Sequence, residues 1–161
     1  SPGSIEWVGK GNLVLGGPQG RNFVETLRPF GAEFSDDVSE ILWNKLLINV
    51  AINPLAAICG VTNGELMSEP LLSQSESTML EAANVAKLLG ISIQEDHILI
   101  QNLHSVLELT SGNECSMLAD VKAGKETEID ALCGQVVSRG EKLGVATPLN
   151  SMLLSQIKSL R

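Results

Sequence analysis

The 161-residue sequence is poor in several residue types, and each scarcity excludes a class of protein. It has no Tyr, three Phe and two Trp, so the core has to be aliphatic. Its three Cys lie far apart without a CxxC pair, which argues against a disulfide framework or a zinc site and favours reduced thiols. The net charge is −8 with no basic stripe, which argues against nucleic-acid binding.

Membrane and secretion signals are also missing from the sequence. No apolar run approaches the roughly 20 residues of a membrane span, and the first residues lack the layout of a signal peptide. We therefore expect a soluble, cytoplasmic protein. The chain begins with SPGS and has no initiator Met, so we expect a fragment, a processed form or an expressed piece of a longer protein. Its length suits one well-buried domain and is short for two.

Residues 1–34 differ in character from the rest and are rich in β-forming residues. Two short runs, Ile5–Val8 and Leu13–Leu15, flank a glycine-containing turn and predict a hairpin. Arg21–Phe30 has a weak helical pattern, and Ala32–Phe34 is a candidate for one more short strand. The glycines do not form a dinucleotide-binding GxGxxG motif, because Val14 stands at the third glycine position and a strand follows.

From Ser35 onward the apolar periodicity is helical, and residues 35–161 are predicted to form a helical bundle of five or six helices. Glycines mark several helix ends, and Thr127 and Thr147 are predicted N-caps. The predicted helices run from Asp36 or Asp37 to Gly60, Leu71 to Leu89, Glu95 to Leu109, Cys115 to Lys122, Thr127 to Gly144, and from Thr147 onward, with a short turn or helix at the GELMS segment.

The first of these helices carries a polar stripe. Within WNKLLINVAINPL, Lys45, Asn49 and Asn53 recur every four residues, so they share one face of a helix whose other faces are apolar. Pro54 removes the N–H that would bond the carbonyl of Val50, which predicts a kink. Spacing alone leaves open whether the stripe faces water, another helix or a substrate.

Four further polar residues admit more than one role. Ser116 begins a short helix, where its hydroxyl suits either an N-cap or a ligand contact. Glu128 lies in a first helical turn, where the helix dipole favours a carboxylate for stability alone. His97 and His104 lie seven residues apart without other metal-binding side chains nearby, so we expect structural roles and no metal site.

Several motifs together resemble the ketopantoate reductase (2-dehydropantoate 2-reductase) family, specifically its C-terminal helical domain. Their order and spacing across nearly the whole chain make the resemblance specific. They are W-x-K-L-x-x-N-x-x-x-N-P at Trp43–Pro54, NGEL at Asn63–Leu66, SMLxDV at Ser116–Val121, TEID at Thr127–Asp130, and G-x-x-x-P at Gly144–Pro148.

The resemblance implies a mainly α fold, a bundle like the C-terminal domain of 6-phosphogluconate dehydrogenase. Residues 1–34 would then be the remnant of an NADP-binding Rossmann domain, and residues 35–161 the substrate-binding and dimerisation domain. The family uses NADPH, but its phosphate-binding loop is not in this sequence. A small 2-keto acid substrate and a homodimer are the implied partners.

The family also implies roles for five residues of this sequence. Lys45 matches the catalytic lysine that polarises or protonates the ketone, and Glu128 matches the acidic residue that bonds the substrate hydroxyl and helps to place the lysine. Asn49, Asn53 and Ser116 match substrate-binding positions.

One departure from the family pattern is mild and another is severe. Cys115 stands where the family leads us to expect Ser or Thr. The missing nucleotide domain leaves no means of positioning a hydride donor, so we expect this chain alone to be inactive. Two other hypotheses stay open: a non-catalytic helical module for dimerisation or ligand binding, and a reductase of a different 2-keto acid.

Overall fold

The computed structural model describes Gly3 and residues 13–160. The chain divides into two compact units, Ser1–Glu40 and Ile41–Arg161.

The first unit contains a β-α-β arrangement. Strand β1 (Leu13–Gly16) is followed by helix α1 (Gly17–Leu27), a 3₁₀ turn (Arg28–Phe30) and strand β2 (Ala32–Ser35). The two strands pair in parallel, with Leu13 opposite Ala32 and Gly16 opposite Ser35. Parallel neighbours require a crossover rather than a tight turn, and α1 supplies it.

These elements confirm the strands expected at residues 13–15 and 32–34. The weak helical pattern proposed for Arg21–Phe30 corresponds to α1 and the 3₁₀ turn, although α1 begins earlier, at Gly17, with Pro18 in its first turn. The predicted strand Ile5–Val8, and with it the hairpin, lies outside the described residues.

The second unit is built from helices, as the sequence predicted, and the mainly α fold class is confirmed. Glycines with positive φ end four of its helices, at residues 60, 90, 124 and 144. The elements are α2 (Ser39–Cys59), a 3₁₀ turn (Gly64–Met67), α3 (Leu71–Leu88), α4 (Asp96–Leu109), α5 (Ser116–Lys122), a 3₁₀ turn (Glu128–Asp130), α6 (Cys133–Leu143) and α7 (Pro148–Ser159).

Two predicted N-caps are confirmed in position but not in their side-chain hydrogen bonds. Thr127 and Thr147 occupy N-cap positions, but neither side chain makes a capping hydrogen bond. The single helix expected between Thr127 and Gly144 is instead the 3₁₀ turn Glu128–Asp130 followed by α6. The hydroxyl of Thr127 is buried without a partner among the described residues, so it does not satisfy the free N–H groups of that turn.

Helix α2 runs through the core of the second unit. Residues 50–57 are all buried, and the helix continues past Pro54 to Cys59. By length and composition α2 is apolar enough to cross a membrane, with a mean hydropathy of 1.4, so the expectation that no segment approaches that length is wrong. Half of its most apolar window is nevertheless buried within the fold, as in the central helix of a globular domain.

The core of the second unit is aliphatic, as expected from the scarcity of aromatic residues. The largest fully buried side chains are Leu47, Leu66, Met79, Leu103, Leu107, Met117, Ile129, Leu153 and Ile157.

Candidate functional site

A cleft of about 470 Å³ opens in the second unit beside the polar face of α2. Four other segments complete its wall: the start of the 3₁₀ turn after α2, the end of α4 with the loop that follows it, the start of α5, and the start of the 3₁₀ turn Glu128–Asp130. The lining residues are Lys45, Ile48, Asn49, Ile52, Asn53, Asn63, Val106, Thr110, Asn113, Glu114, Cys115, Ser116 and Glu128. All five site residues expected from the sequence lie in this one cleft.

The stripe on α2 changes in burial along the helix. Lys45 is exposed, Asn49 is half-buried, and Asn53 retains only 9% of its accessible surface. Ile48 and Ile52 lie between them and also line the cleft. The structure thus places an ammonium at the open end of the stripe and an amide at its buried end, with apolar side chains alongside.

The start of α5 places Ser116 on the cleft wall, and its neighbour Cys115 does the capping. The Cys115 Sγ accepts from the N–H of Leu118 at 3.4 Å and donates to the carbonyl of Asn53 at 3.6 Å. Of the two roles left open for Ser116, capping therefore belongs to Cys115. Ser116 is exposed, and its hydroxyl is available to a ligand.

The thiol of Cys115 is a structural donor rather than a nucleophile. Burial raises the pKa of this thiol, and hydrogen bonds from backbone N–H groups only partly oppose that effect. The thiol therefore stays protonated at neutral pH and can donate to the Asn53 carbonyl. Because it joins α5 to α2, Cys115 helps to fix Ser116 relative to Asn53.

Opposite charges stand on the cleft wall. Glu128 is exposed and begins a 3₁₀ turn. Within the described residues, the ion pairs include neither Lys45 nor Glu128. Glu114, also in the wall, is paired with Lys122 at 2.6 Å. Lys45 and Glu128 are thus the charges left free to act on a ligand.

One cleft residue was missed as a site candidate. From the sequence, Asn63 was considered only as the first residue of the NGEL motif, and no site role was predicted for it. In the structure it lines the cleft and retains 8% of its accessible surface. Its Nδ2 donates to the Thr110 hydroxyl at 2.9 Å, and its backbone N–H donates to the carbonyl of Asn113 at 3.0 Å. The sequence did contain one signal, since Asn63 is a polar residue in a matched motif. Its neighbours in the cleft, however, are about fifty positions away in the sequence and could not be identified from local spacing.

The histidines lie elsewhere in the unit. His104 Nε2 contacts Glu76 Oε1 at 2.6 Å, which joins α4 to α3, and His97 is exposed on α4. Among residues 13–160, no group of three or more His, Cys, Asp or Glu side chains is arranged to hold a metal ion.

The first unit offers one place to test for nucleotide phosphates, at the start of α1. A pocket of about 370 Å³ there is lined by Gly17, Pro18, Arg21, Phe34 and Asp36. Arg21 is already engaged, since its guanidinium pairs with Asp36 at 2.5 Å and lies 4.2 Å from the centre of the Phe34 ring. Because this guanidinium is already paired with a carboxylate, the pocket offers no uncompensated positive side chain for a phosphate.

Comparisons of this chain with protein families and with curated proteins agree on one family. Residues 37–161 match the family model described as ketopantoate reductase PanE/ApbA C terminal. The chain is 34% identical to the 2-dehydropantoate 2-reductase of Pyrococcus horikoshii over 169 residues, covering 98% of this chain and 55% of that protein. It is 31% identical to the enzyme of the same name from Archaeoglobus fulgidus over 167 residues, with the same coverage of 98% and 55%.

Solved structures agree with the sequence relatives. The PanE/ApbA family ketopantoate reductase from Ralstonia eutropha JMP134 superposes with a TM-score of 0.85 at 30% identity, covering 95% of this chain and 52% of that one. D-mandelate dehydrogenase in complex with NADH superposes with the same TM-score at 26% identity, covering 99% and 62%. The chain thus spans about half the length of the curated relatives that it matches.

Proposed function

The chain belongs to the family of ketopantoate reductase C-terminal domains, and we propose that it is the substrate-binding part of an oxidoreductase that reduces 2-dehydropantoate to pantoate. The observation that supports this most directly is the shared cleft, which gathers Lys45, Glu128 and three neutral polar side chains from separate segments. The family relationship and the cleft come from independent kinds of observation, one from sequence identity and one from geometry.

The proposed catalytic group is the Lys45 ammonium. Reduction of a ketone places negative charge on its oxygen as hydride reaches the carbonyl carbon. A fixed ammonium stabilises that charge more in the transition state than in the ground state, and it can also supply the proton. Since no described residue forms an ion pair with Lys45, its donors are free for the ketone oxygen.

The other site residues are proposed to hold the substrate. The carboxylate of a 2-keto acid accepts hydrogen bonds, and the amides of Asn49 and Asn53 and the hydroxyl of Ser116 can each donate one. Glu128 is an acceptor and is proposed to bond a substrate hydroxyl and to help place Lys45. Fixing the acid in this way would hold its carbonyl carbon in one orientation for attack.

A nicotinamide nucleotide, proposed to be NADPH from the family resemblance, would supply the hydride. Since the pocket at the start of α1 has no uncompensated positive side chain for its phosphates, we propose that the remaining half of a longer protein binds it. Residues 1–34 are accordingly proposed to be the end of that nucleotide domain, and residues 35–161 the substrate domain. A cytoplasmic location and a homodimer remain further proposals, and light scattering of the longer protein tests the second.

A different 2-keto acid is the second candidate substrate. The observation that favours it is the similarity to D-mandelate dehydrogenase, whose ternary structure with NADH and anilino(oxo)acetate superposes with a TM-score of 0.79 at 26% identity. The sequence relatives named 2-dehydropantoate 2-reductase favour the first candidate. Comparing kcat/KM over a panel of 2-keto acids separates the two.

The decisive test measures oxidation of NADPH by the longer protein that contains this chain, with 2-dehydropantoate as substrate. Lys45→Ala should lower kcat by about a hundredfold or more, as expected when one donor to a developing oxyanion is removed. Lys142→Ala is the matched control, because Lys142 is an exposed lysine outside the cleft, and it should leave kcat unchanged. Equal rates for the two variants would contradict the role of Lys45.

The 161-residue chain itself supplies a second measurement. We expect it to bind pantoate in calorimetry and to oxidise no NADPH. NADPH oxidation by this chain at a rate above that of its Lys45→Ala variant would refute the proposal that the nucleotide binds in the other half of the longer protein. A chain that binds no 2-keto or 2-hydroxy acid would favour the non-catalytic helical module.

A further inference from the structure

The 3₁₀ turn that carries Glu128 has three side chains in three different surroundings. Successive residues of such a turn are about 120° apart, so their side chains point in different directions. Glu128 lines the cleft, and Ile129 is fully buried. Asp130 Oδ1 lies 2.5 Å from the Nζ of Lys158 on α7. We propose that Asp130 and Lys158 are positioning residues, whose ion pair holds the turn against α7 and so directs the Glu128 carboxylate towards the substrate. This inference rests on the proposed function and adds to it.

Neither end of this turn is held by a helix or by a side-chain cap. The Thr127 side chain makes no capping hydrogen bond at the start. At the other end, Leu132 has φ −99° and ψ −99°, which is outside the helical region, so α6 does not continue the turn. The N–H groups of Ala131 and Leu132 donate to the Glu128 carbonyl at 2.9 and 3.1 Å. These bonds close the turn but do not tie it to another element, so its orientation depends on contacts with other segments.

Helix α7 gives Lys158 a firm support. Its neighbour Ile157 retains only 1% of its accessible surface, so the last turn of α7 is anchored in the core. Burial of Ile129 fixes the turn at one point, and the ion pair adds a second point on another side of it. Two points of contact oppose a rotation of the turn that one point would allow. Both charges of the pair are largely exposed, so the pair contributes little to overall stability, and orientation is its measurable effect.

The start of α6 leaves just enough room for the Asp130 carboxylate. A Cβ on Gly134 would lie 3.3 Å from Asp130 Oδ1, the same oxygen that pairs with Lys158. This distance is shorter than ordinary van der Waals contact, so a methyl group at position 134 would displace the carboxylate without removing its charge. Gly134→Ala therefore perturbs the geometry of the pair, whereas Asp130→Asn removes one of its charges. Both changes should have the same consequence at Glu128.

The test compares two ligands that differ at the group proposed to bond Glu128. Binding of 2-dehydropantoate and of 3,3-dimethyl-2-oxobutanoate, which lacks only the hydroxyl, is measured by calorimetry on the 161-residue chain. Lys158→Met should weaken binding of the hydroxylated acid about fourfold and binding of the analogue by less than about twofold. Asp130→Asn should do the same, and the double variant should lose no more than either single variant. A mere change of net charge would instead shift both acids together, weakening them for Lys158→Met and strengthening them for Asp130→Asn.

The controls separate the inference from the proposed function. Lys158→Arg keeps the charge and should keep the wild-type preference, and Lys142→Ala, an exposed lysine outside the cleft, should leave both affinities unchanged. If the single variants weaken both acids equally or neither of them, the inference is wrong while the substrate-binding role stands. If neither acid binds the wild-type chain, the proposed function fails and the inference fails with it. Should a charge-removing variant not fold, Gly134→Ala decides, because it should also lower the preference for the hydroxylated acid, and an unchanged preference would overturn the inference.

Discussion

Helix α7 is capped by a carboxylate from a distant helix, and removing that carboxylate should destabilise the fold measurably. Glu81 on α3 accepts from the backbone N–H of Leu149 at 3.0 Å and of Asn150 at 2.8 Å, and from the Asn150 side chain at 2.9 Å. The two N–H groups belong to the first turn of α7, which has no intrahelical acceptors for them. Thr147, the cap expected from the sequence, makes no such bond.

The expected magnitude follows from these contacts. A hydrogen bond to a charged group contributes about 1.5–3 kcal/mol, and a carboxylate at a helix N-terminus adds about 0.5 kcal/mol. Glu81 is only half-buried, so water would satisfy part of what Glu81→Ala leaves unpaired. We therefore expect the free energy of unfolding to fall by about 3 kcal/mol in total. For a chain of this size that corresponds to a Tm lower by about 6–12 °C.

Thermal unfolding followed by circular dichroism measures this effect, with urea unfolding as an independent estimate of the free energy. Thr147→Val is the matched control, because it removes the hydroxyl of the expected cap while keeping the shape of the side chain. Its free energy of unfolding should change by less than about 0.5 kcal/mol. A Tm loss below about 2 °C for Glu81→Ala, or an equal loss for both variants, would refute the assignment of the cap.

The capping of α7 by Glu81 instead of Thr147 could not be predicted from local sequence patterns. A threonine before a proline is a good local signal for a helix start, and α7 does begin at Pro148. Which group satisfies the free N–H groups, however, depends on α3 packing against α7, and the two partners are 68 positions apart in the sequence. Local patterns therefore predict where a helix begins better than they predict what caps it.

Helix ends and the polar stripe were the most predictable features. Glycines fix the helix ends because the left-handed conformation there costs other residues energy. The spacing of Lys45, Asn49 and Asn53 depends only on helix geometry, so their common face followed from sequence. The apolar periodicity did not show that this face opens into a cleft, because the opposite wall comes from segments about sixty residues later.

Contacts between distant segments account for what was missed at the site. The thiol of Cys115 caps α5 by accepting from the N–H of Leu118, and because burial beside α2 keeps it protonated, it also donates to the Asn53 carbonyl. Asn63 lies in the cleft wall beside Thr110 and Asn113, which are about fifty positions away in the sequence. The parallel pairing of β1 with β2 in the first unit could not be predicted either, because short strands around glycines are equally typical of hairpins.

Three further predictions test the packing of the second unit. Gly64→Ala should lower the free energy of unfolding by about 1–3 kcal/mol, because its Cβ would lie 2.8 Å from the carbonyl oxygen of Ser111. Gly112→Ala, whose Cβ meets nothing within 4 Å, should be nearly neutral in the same urea titration, and equal losses would contradict this contact. In a thiol-labelling assay at pH 8, the exposed Cys59 should react quickly and the two buried cysteines slowly. Burial raises the pKa of Cys133 to about 12 from 9.0, and the folded state therefore holds this proton at a pH where the unfolded chain releases it. The stability that this difference contributes is complete below pH 9.0 and is lost as the pH rises toward about 12. Urea titrations between pH 8 and 11 should therefore show a steeper loss of stability for the wild-type chain than for Cys133→Ala, and parallel curves would show that the buried thiol is not the cause.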